Sequence, residues 1–225
     1  MSAMKVLMNG DRESIANTLN RDEDLCPAVK IHLLVAIGEP ISEEMYEEVK
    51  KKYNNKTIDE IKQHYKVNFV DKRNEFVYNY AYAKKGERIA GILTWSHPVE
   101  DEWKLNMGVE DLYVLPEFRK QKVATKLMKK MMTATKNRPR KKLDFRCYGM
   151  DDLWLGAFYE ELGFKLCEAD QEFLQEVKSN PMLKMIWTFS GRMMTMYMGL
   201  DEPKKAEEEA ETEEVFNKDW KPFKG

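Results

Sequence analysis

The sequence predicts an α/β protein built on a mixed β-sheet that is flanked by helices. Two strand patterns near residues 76–96 are joined by a short polar turn, which favours an antiparallel hairpin. Strand, helix, strand and helix patterns then follow one another between residues 109 and 163, which predicts a right-handed parallel crossover. Together, a hairpin and a parallel crossover make the predicted sheet mixed.

The first 70 residues have mostly helical patterns. Ser42 is expected to cap one helix, and Thr57 with Glu60 has the spacing of a capping box at the start of another. The apolar run at residues 29–37 is compatible with a strand or with a buried helix, because so short a run has no decisive period. We therefore predict a helical N-terminal part, residues 1–70, packed on the domain that follows.

The central strands are predicted from alternation and from turn residues. Residues 76–83 form the first strand, residues 84–87 the turn, and residues 88–96 the second strand. A polar stretch then leads to a third strand at residues 109–114, which Leu115 and Pro116 close.

An amphipathic helix is predicted from Val123, because apolar residues recur there at helical spacing. Pro139 ends that pattern, and alternation over residues 143–147 predicts a fourth strand. A second helix begins near Trp154 and ends at Gly163.

The rest of the chain completes one domain and adds a tail. A short strand near residues 164–167, a helix at about 170–178 and a strand at 193–200 complete a predicted domain at residues 71–200. Eight acidic residues and two lysines follow between residues 201 and 214, so residues 201–225 are predicted to be an acidic, disordered tail.

Composition narrows the class of protein. Hydrophobic residues make up 43% of the chain and are interspersed with 34% charged residues, and no apolar run approaches the length of a membrane span. The N-terminal residues lack the pattern of a secretory signal. The three cysteines are widely spaced and form no metal-binding pattern. We expect a cytoplasmic protein that has buried thiols and no metal site.

Positive charge is concentrated in one segment. Residues 119–142 contain 11 of the 37 basic residues and none of the 39 acidic residues. The segment begins where the third strand passes through a tight loop into the helix at Val123, and a helix N-terminus offers unpaired backbone N–H groups to an anion. Arg119, Lys120 and Lys122 add formal charge there. The sequence thus predicts a site for a phosphate-bearing ligand.

The stretch VEDLYVLPEFRKQKVA at residues 109–124 resembles the Gcn5-related N-acetyltransferase (GNAT) superfamily. That family has an apolar-x-Val-x-Pro-Glu strand end followed by Arg/Gln-x-x-Gly-x-Gly/Ala, and the matching residues are Leu112, Val114, Pro116, Glu117, Arg119, Val123 and Ala124. A second family signature, Asn, seven residues and Tyr-x-x-x-Gly-Phe, is matched at Tyr159, Gly163 and Phe164, with Asp152 at the Asn position. Lys120 and Lys122 stand where the family has glycines.

The resemblance implies a splayed sheet and direct transfer of acetyl from acetyl-CoA to an amine, without a covalent enzyme intermediate. It also implies that backbone N–H groups near Val114 polarise the thioester. The implied cofactor-binding residues are Leu112, Tyr113, Val114, Arg119, Lys120, Gln121, Lys122, Val123, Ala124 and Asp152. Tyr159 is the implied general acid, and its alternative role is that of a core aromatic residue.

The attacking amine must first lose a proton, and the candidates for the base are Glu110 and Asp111 on the third strand. Regular alternation places their side chains on opposite faces, so one of them at most can serve. We select Glu110. Both residues can equally be solvent-exposed strand carboxylates, and Asp152 can equally be a helix cap.

Three questions stay open at this level. A GNAT-like module that binds a protein or RNA without catalysis is the alternative to an enzyme, although no aromatic residue interrupts the basic segment 119–142 to stack on bases. The acceptor can be a small molecule, a protein lysine or a protein N-terminus. The apolar residues at 216–223 can dock on a partner or fold back on the domain.

Overall fold

The structure has the strands and helices that the sequence predicts in the central part of the chain, together with one further strand near the N-terminus and one further helix near residue 185. A computed structural model describes residues 3–23, 25–52, 56–66, 75–99, 106–138 and 140–199. Two compact units are present, Met1–Leu143 and Asp144–Gly225. The boundary expected near residue 70 and the tail at 201–225 lie outside the described residues, so both stay predictions.

In the described N-terminal part of the first unit the helices are α1 (Arg12–Arg21), α2 (Pro27–Ile37), α3 (Glu43–Lys52) and α4 (Ile58–Tyr65). The Ser42 hydroxyl accepts the Met45 N–H at 3.4 Å, and Thr57 and Glu60 form the predicted capping box. The apolar run at 29–37 is part of helix α2, which ends at Gly38 with φ 86°.

Among its described residues, the first unit contains four complete strands: β1 (Met4–Met8), β2 (Phe76–Lys85), β3 (Arg88–Pro98) and β4 (Asn106–Val114). They follow the order β1-β2-β3-β4 and then meet the first half of β5 (Arg140–Cys147). The antiparallel pairs β1–β2, β2–β3 and β3–β4 and the parallel pair β4–β5 make the sheet mixed, as expected. Strand β1 was not predicted, because five residues are too few for their alternation to stand out.

Parallel pairing of β4 covers only its first half. It runs from Asn106 opposite Arg140 to Val109 opposite Leu143. Within the described chain, Leu112, Tyr113 and Val114 of β4 are in register with Leu93, Ile92 and Gly91 of β3.

Helices cover this sheet. Helices α1 to α4 share a buried cluster with the β2 and β3 side chains Tyr80, Tyr82 and Ile92. Helix α5 (Val123–Ala134) buries Val123, Leu127, Met128 and Met131 and contacts β2, β3 and β4. Both ends of the β4–α5 connection are thus fixed in packed elements.

The second unit contains helix α6 (Trp154–Glu160), strand β6 (Lys165–Leu166), helices α7 (Glu168–Ser179) and α8 (Pro181–Ser190), and strand β7 (Arg192–Met198). Strand β7 lies between β5 and the antiparallel β6. The Asn180 carboxamide caps helix α8 by accepting the Leu183 N–H at 3.1 Å. Helix α8 was missed, although Asn180 followed by Pro181 is a helix-start signal.

Within the described part of the chain, no helix has the length and apolar character needed to cross a bilayer.

Candidate active site

Strand β4 contains a β-bulge at Glu110 and Asp111. Gly108 and Val109 lie opposite Ser96 and Trp95, whereas Leu112 and Tyr113 lie opposite Leu93 and Ile92. Two β4 residues therefore face the single β3 residue Thr94. Bulges of this kind are common beside active sites, because they redirect the side chains at the bulge.

The bulge corrects the expectation that Glu110 and Asp111 point to opposite faces. Ser96 and Ile92 are four residues apart on β3 and share one face, so their partners Gly108 and Tyr113 share it too. Side chains two residues apart on a strand share a face, so Glu110 lies on the face of Gly108 and Asp111 lies on the face of Tyr113. Both carboxylates thus lie on the face that also carries the cluster of helices α1 to α4.

Glu110 and Asp111 have different surroundings. The Glu110 side chain is exposed and accepts a hydrogen bond from the Ser96 hydroxyl. Asp111 is half-buried, and its backbone N–H donates to the Thr94 hydroxyl at 3.1 Å. Burial, together with the charge of Glu110, raises the pKa of Asp111 to about 7. A carboxyl with this pKa is suited to accept a proton near neutral pH.

Thr94 and Ser96 were missed in the sequence. Both are buried, at 0% and 3% exposure, inside the apolar strand β3. Their hydroxyls support the bulge, one through the Asp111 N–H and the other through the Glu110 carboxylate. The available signal was the presence of hydroxyl residues in a strand that is otherwise apolar, since buried polar groups need partners.

Tyr113 lies farther along β4 on the same face. Its hydroxyl donates to Asp22, in the connection between α1 and α2, at 2.5 Å. Burial and this hydrogen bond raise the pKa of Tyr113 to about 12. Because its side chain is directed to the α1–α2 connection, any contribution of Tyr113 to cofactor binding is expected from its backbone.

The loop between β4 and α5 keeps a glycine-like backbone without glycine. Lys120 and Lys122 both have φ 59°, in the left-handed region. These are the two positions at which the GNAT family, which the sequence resembles, has glycines. The Lys120 and Lys122 side chains are exposed. The neighbouring Arg119 Nε donates to the Val114 carbonyl at 3.2 Å. The lysines therefore follow a path suited to glycine and place their side chains in solvent.

Neighbouring side chains hold this loop in place. Arg88 of β3 pairs with Glu117 at 2.5 Å and lies over the ring of Phe118, with 5.2 Å to its centroid. Gln121 donates to the Glu117 carbonyl at 2.9 Å and accepts from the Lys85 ammonium at 3.1 Å. The Gln121 side chain thus braces the loop, which leaves its backbone as the part suited to a ligand.

Helix α5 begins immediately after the loop. Its N-cap residue is Lys122, which makes no side-chain capping hydrogen bond. The N–H groups of Val123, Ala124 and Thr125 precede the first intrahelical bond, which the Lys126 N–H makes to the Lys122 carbonyl at 3.1 Å. Strand β3 approaches closely at Gly91, where an added Cβ would lie 2.7 Å from the Tyr113 carbonyl oxygen and 3.2 Å from Val123. Gly91 was also missed, although a glycine inside a strand often marks close approach.

Leu112 is half-buried and lies opposite Leu93 on the face of the sheet other than that of Tyr113. The predicted cofactor residues from Leu112 to Ala124 therefore form one continuous strand, loop and helix start.

The remaining predicted residues belong to the second unit. Tyr159 of α6 is 8% exposed and contacts the rings of Phe145, Phe158 and Phe164 at centroid distances of 5.9, 5.0 and 6.1 Å. Gly163 has φ 94°, which ends the helix and allows the Phe164 N–H to bond the Tyr159 carbonyl at 3.1 Å.

Asp152 does not cap helix α6. Its carboxylate accepts the Tyr148 N–H at 2.8 Å, and the helix has Leu153 at its N-cap without a side-chain bond. The carboxylate closes the turn after β5 instead. No group of three His, Cys, Asp or Glu side chains suited to a metal ion occurs among the residues that the structure describes.

Residues 76–166 match the model of the acetyltransferase (GNAT) domain family. This segment is a GNAT acetyltransferase domain. It begins at β2, contains the bulge, the β4–α5 loop and the motif at Tyr159, and ends at β6. Comparison with curated proteins found no matching sequence.

Several solved acetyltransferases are similar to the chain that carries this GNAT domain. The PaiA N-acetyltransferase of Thermoplasma acidophilum, solved with coenzyme A, is 13% identical with a TM-score of 0.46, covering 88% of this chain and 99% of its own. An acetyltransferase from Streptococcus agalactiae is 16% identical with a TM-score of 0.46, covering 89% of this chain and 100% of its own.

In two further similar structures, the match covers about two thirds of the other chain or less. A nourseothricin acetyltransferase is 18% identical with a TM-score of 0.38, covering 55% of this chain and 66% of its own. A proposed streptothricin acetyltransferase from Bacillus anthracis, solved with acetyl coenzyme A, is 19% identical with a TM-score of 0.39, covering 55% of this chain. The present chain spans 62% of that protein's length.

Proposed function

We propose that this chain is an N-acetyltransferase that passes acetyl directly from acetyl-CoA to an amine. The observation that carries the proposal is the β4–α5 connection, in which an uncapped helix start follows Arg119 and the left-handed Lys120 and Lys122. The arrangement lies within the segment that matches the GNAT domain family.

The residues of this connection suit a pyrophosphate. Backbone N–H groups at the start of α5 and the positive end of the helix dipole favour an anion, and Arg119, Lys120 and Lys122 add charge. Because Lys120 and Lys122 keep positive φ and exposed side chains, the backbone path that glycines would provide is retained. When bound, acetyl-CoA would supply an acetyl group activated as a thioester.

Proton removal from the acceptor is assigned to the carboxylates at the bulge. An alkyl ammonium has a pKa near 10, so a base is needed before its nitrogen can attack. We assign Asp111 as the base, because it is half-buried at the bulge and its pKa is raised to about 7. Glu110 then raises the proton affinity of Asp111 through its charge and attracts the cationic acceptor.

Two groups complete the proposed mechanism. Backbone N–H groups around Val114 are proposed to stabilise the negative charge that develops on the carbonyl oxygen. The Tyr159 hydroxyl is proposed to protonate the departing thiolate at sulfur, as the motif implies. The acceptor is an amine of a small molecule, a protein lysine or a protein N-terminus.

Calorimetric titration with acetyl-CoA tests the proposal. We expect binding and an increase in melting temperature, because a ligand that binds the folded state alone stabilises it. Arg119→Glu is expected to abolish this binding by placing a negative charge beside the pyrophosphate. Lys126→Glu is the matched control, since Lys126 is also exposed and lies one helical turn beyond the N-cap.

Absence of heat and of any thermal shift at millimolar acetyl-CoA would contradict the proposal and favour a non-catalytic binding module. If acetyl-CoA binds, thiol release measured with a panel of amines and amine-bearing peptides identifies the class of acceptor.

A further inference from the structure

Helix α8 has an apolar stripe that faces solvent. Met182, Met185, Ile186 and Phe189 recur at i, i+3, i+4 and i+7, which is one face of a helix. Their exposed fractions are 68%, 55%, 51% and 79%. On the other side of the helix, Trp187 is 2% exposed and donates its Nε1–H to the Cys147 carbonyl at 2.8 Å.

The packing around Trp187 fixes the orientation of the stripe. The Trp187 ring meets Phe173 of α7 edge to face, with 5.4 Å between centroids. Arg146 of β5 also donates to the Ser190 carbonyl at the end of the helix, at 3.4 Å. Helix α8 is thereby anchored on one side, and its opposite side carries four large apolar side chains to the surface of the second unit.

We propose that this stripe, formed by Met182, Met185, Ile186 and Phe189, is the contact between two copies of the chain paired about a twofold axis. Fully exposed side chains of this size present roughly 150–250 Å² each, so the exposed parts of the four amount to roughly 500 Å² per copy. If the contact covers these parts completely, two copies bury roughly 1,000 Å², which is the lower bound for a specific interface.

The chemistry of α8 suits a copy of itself. Lys184 is the one charged residue in the sequence PMLKMIWTFS, and the four stripe residues are apolar. A face without charge needs no complementary charge on its partner, so identical faces can pair without leaving an unpaired ion. Lys184 lies beside the stripe, where interface rims are polar.

Other occupants are disfavoured by charge. Helix α7, which packs against α8 through Phe173, exposes Glu168, Glu172 and Glu176. These carboxylates would repel an anionic lipid surface. They would also repel residues 201–214 of this chain, which carry eight acidic residues and two lysines.

Sedimentation velocity of the full-length chain between about 1 and 100 µM tests the proposal, a range that covers dissociation constants typical of small interfaces. We expect a dimer. Phe189→Glu is expected to raise the dissociation constant at least ~100-fold, because it places a charge in an apolar contact. Leu7→Glu is the matched control: Leu7 is 41% exposed on β1 of the first unit, and its replacement is expected to leave the dimer intact.

A circular dichroism melt of each variant separates loss of pairing from loss of folding. If Phe189→Glu does not fold, Met185→Lys provides the same test.

A bismaleimide crosslink gives a second measurement. The centre of the stripe lies between Met185 and Ile186, so the Ile186→Cys variant is expected to crosslink to a second copy of itself. Wild type is the control, since Cys147 is buried and Cys26 and Cys167 are partly buried.

A wild-type chain that is monomeric at about 100 µM overturns the proposal, as does a dimer that survives both Phe189→Glu and Met185→Lys. A monomer in which Trp220→Ala increases the binding of a hydrophobic dye overturns it as well, and would assign the stripe to the C-terminal residues of the same chain.

Discussion

Replacement of Asp111 by asparagine is expected to stabilise the folded chain at pH 8 while lowering its rate of acetyl transfer. Asp111 is half-buried, and its pKa is raised to about 7 by burial and by the charge of Glu110. Above that pH the folded chain holds a carboxylate in a place that favours the neutral acid. Asparagine has nearly the same shape and carries no charge, so the penalty disappears.

The magnitude follows from the difference between the folded and unfolded pKa values. An unfolded aspartate titrates near ~3.9, so the folded pKa of about 7 corresponds to a ceiling of ~4 kcal/mol at ~1.36 kcal/mol per unit. Asp111 is only half-buried, and solvent screening lowers this to about 1–2 kcal/mol. For a chain of this length that corresponds to about 3–6 °C in melting temperature.

The pH dependence has a definite sign. Between pH ~4 and ~7 the folded wild type binds more protons than the unfolded chain, so its stability falls as the pH rises through this range. Below pH ~4 both states are protonated and the penalty is absent, whereas above pH ~7 it is complete. The stabilisation by Asp111→Asn is therefore expected to be larger at pH 8 than at pH 5.

Thermal melts of wild type and Asp111→Asn from pH 5 to pH 9 measure this effect without any substrate. Asp151→Asn is the control, because Asp151 is exposed and its replacement is expected to change the melting temperature by less than about 1 °C. In the same preparations, kcat is expected to fall by ~10²–10⁴ if Asp111 is the base. An equal effect at pH 5 and pH 8, or no stabilisation at all, would refute the assigned environment of Asp111.

Three further replacements test the loop, the strand crossing and the motif tyrosine. Lys122→Gly removes a lysine from the left-handed conformation and is expected to stabilise the fold by about 1 kcal/mol in a denaturant titration. The same replacement should leave the affinity for acetyl-CoA unchanged or raise it. A tenfold loss of affinity would show that Lys122 itself is a phosphate ligand. Gly91→Ala places a methyl 2.7 Å from the Tyr113 carbonyl oxygen and is expected to destabilise by about 1–3 kcal/mol, with a lower melting temperature as the readout. Tyr159→Phe is expected to lower kcat by ~10² with little change in acetyl-CoA affinity, and an unaltered turnover would leave the ring as packing.

Much of the fold was predictable because local signals were strong. The Thr57–Glu60 capping box, the β2–β3 hairpin and the apolar face of α5 each lie within one short segment, so neighbouring residues specify them. Elements with weak local signals were missed. Strand β1 has five residues and depends on pairing with β2, which is about 75 residues away along the chain.

The candidate site divides in the same way. The order of strand, loop and helix from Leu112 to Ala124 could be read from sequence, because those residues are contiguous and their charge pattern is local. The shared face of Glu110 and Asp111 could not. It arises because two β4 residues lie opposite Thr94, and a strand's own sequence does not show the register of its neighbour.

The sequence by itself determined the mixed α/β class, the loop position at residues 115–122 and the excess of positive charge there, since each depends on residue type and spacing. Only the tertiary structure decided that Lys120 and Lys122 adopt the left-handed conformation and that Tyr113 and Val123 lie close to the backbone of Gly91. The raised pKa of Asp111 is likewise a property of the folded chain. These properties depend on distances between segments far apart in the chain, and burial and backbone strain exist only once those segments are packed together.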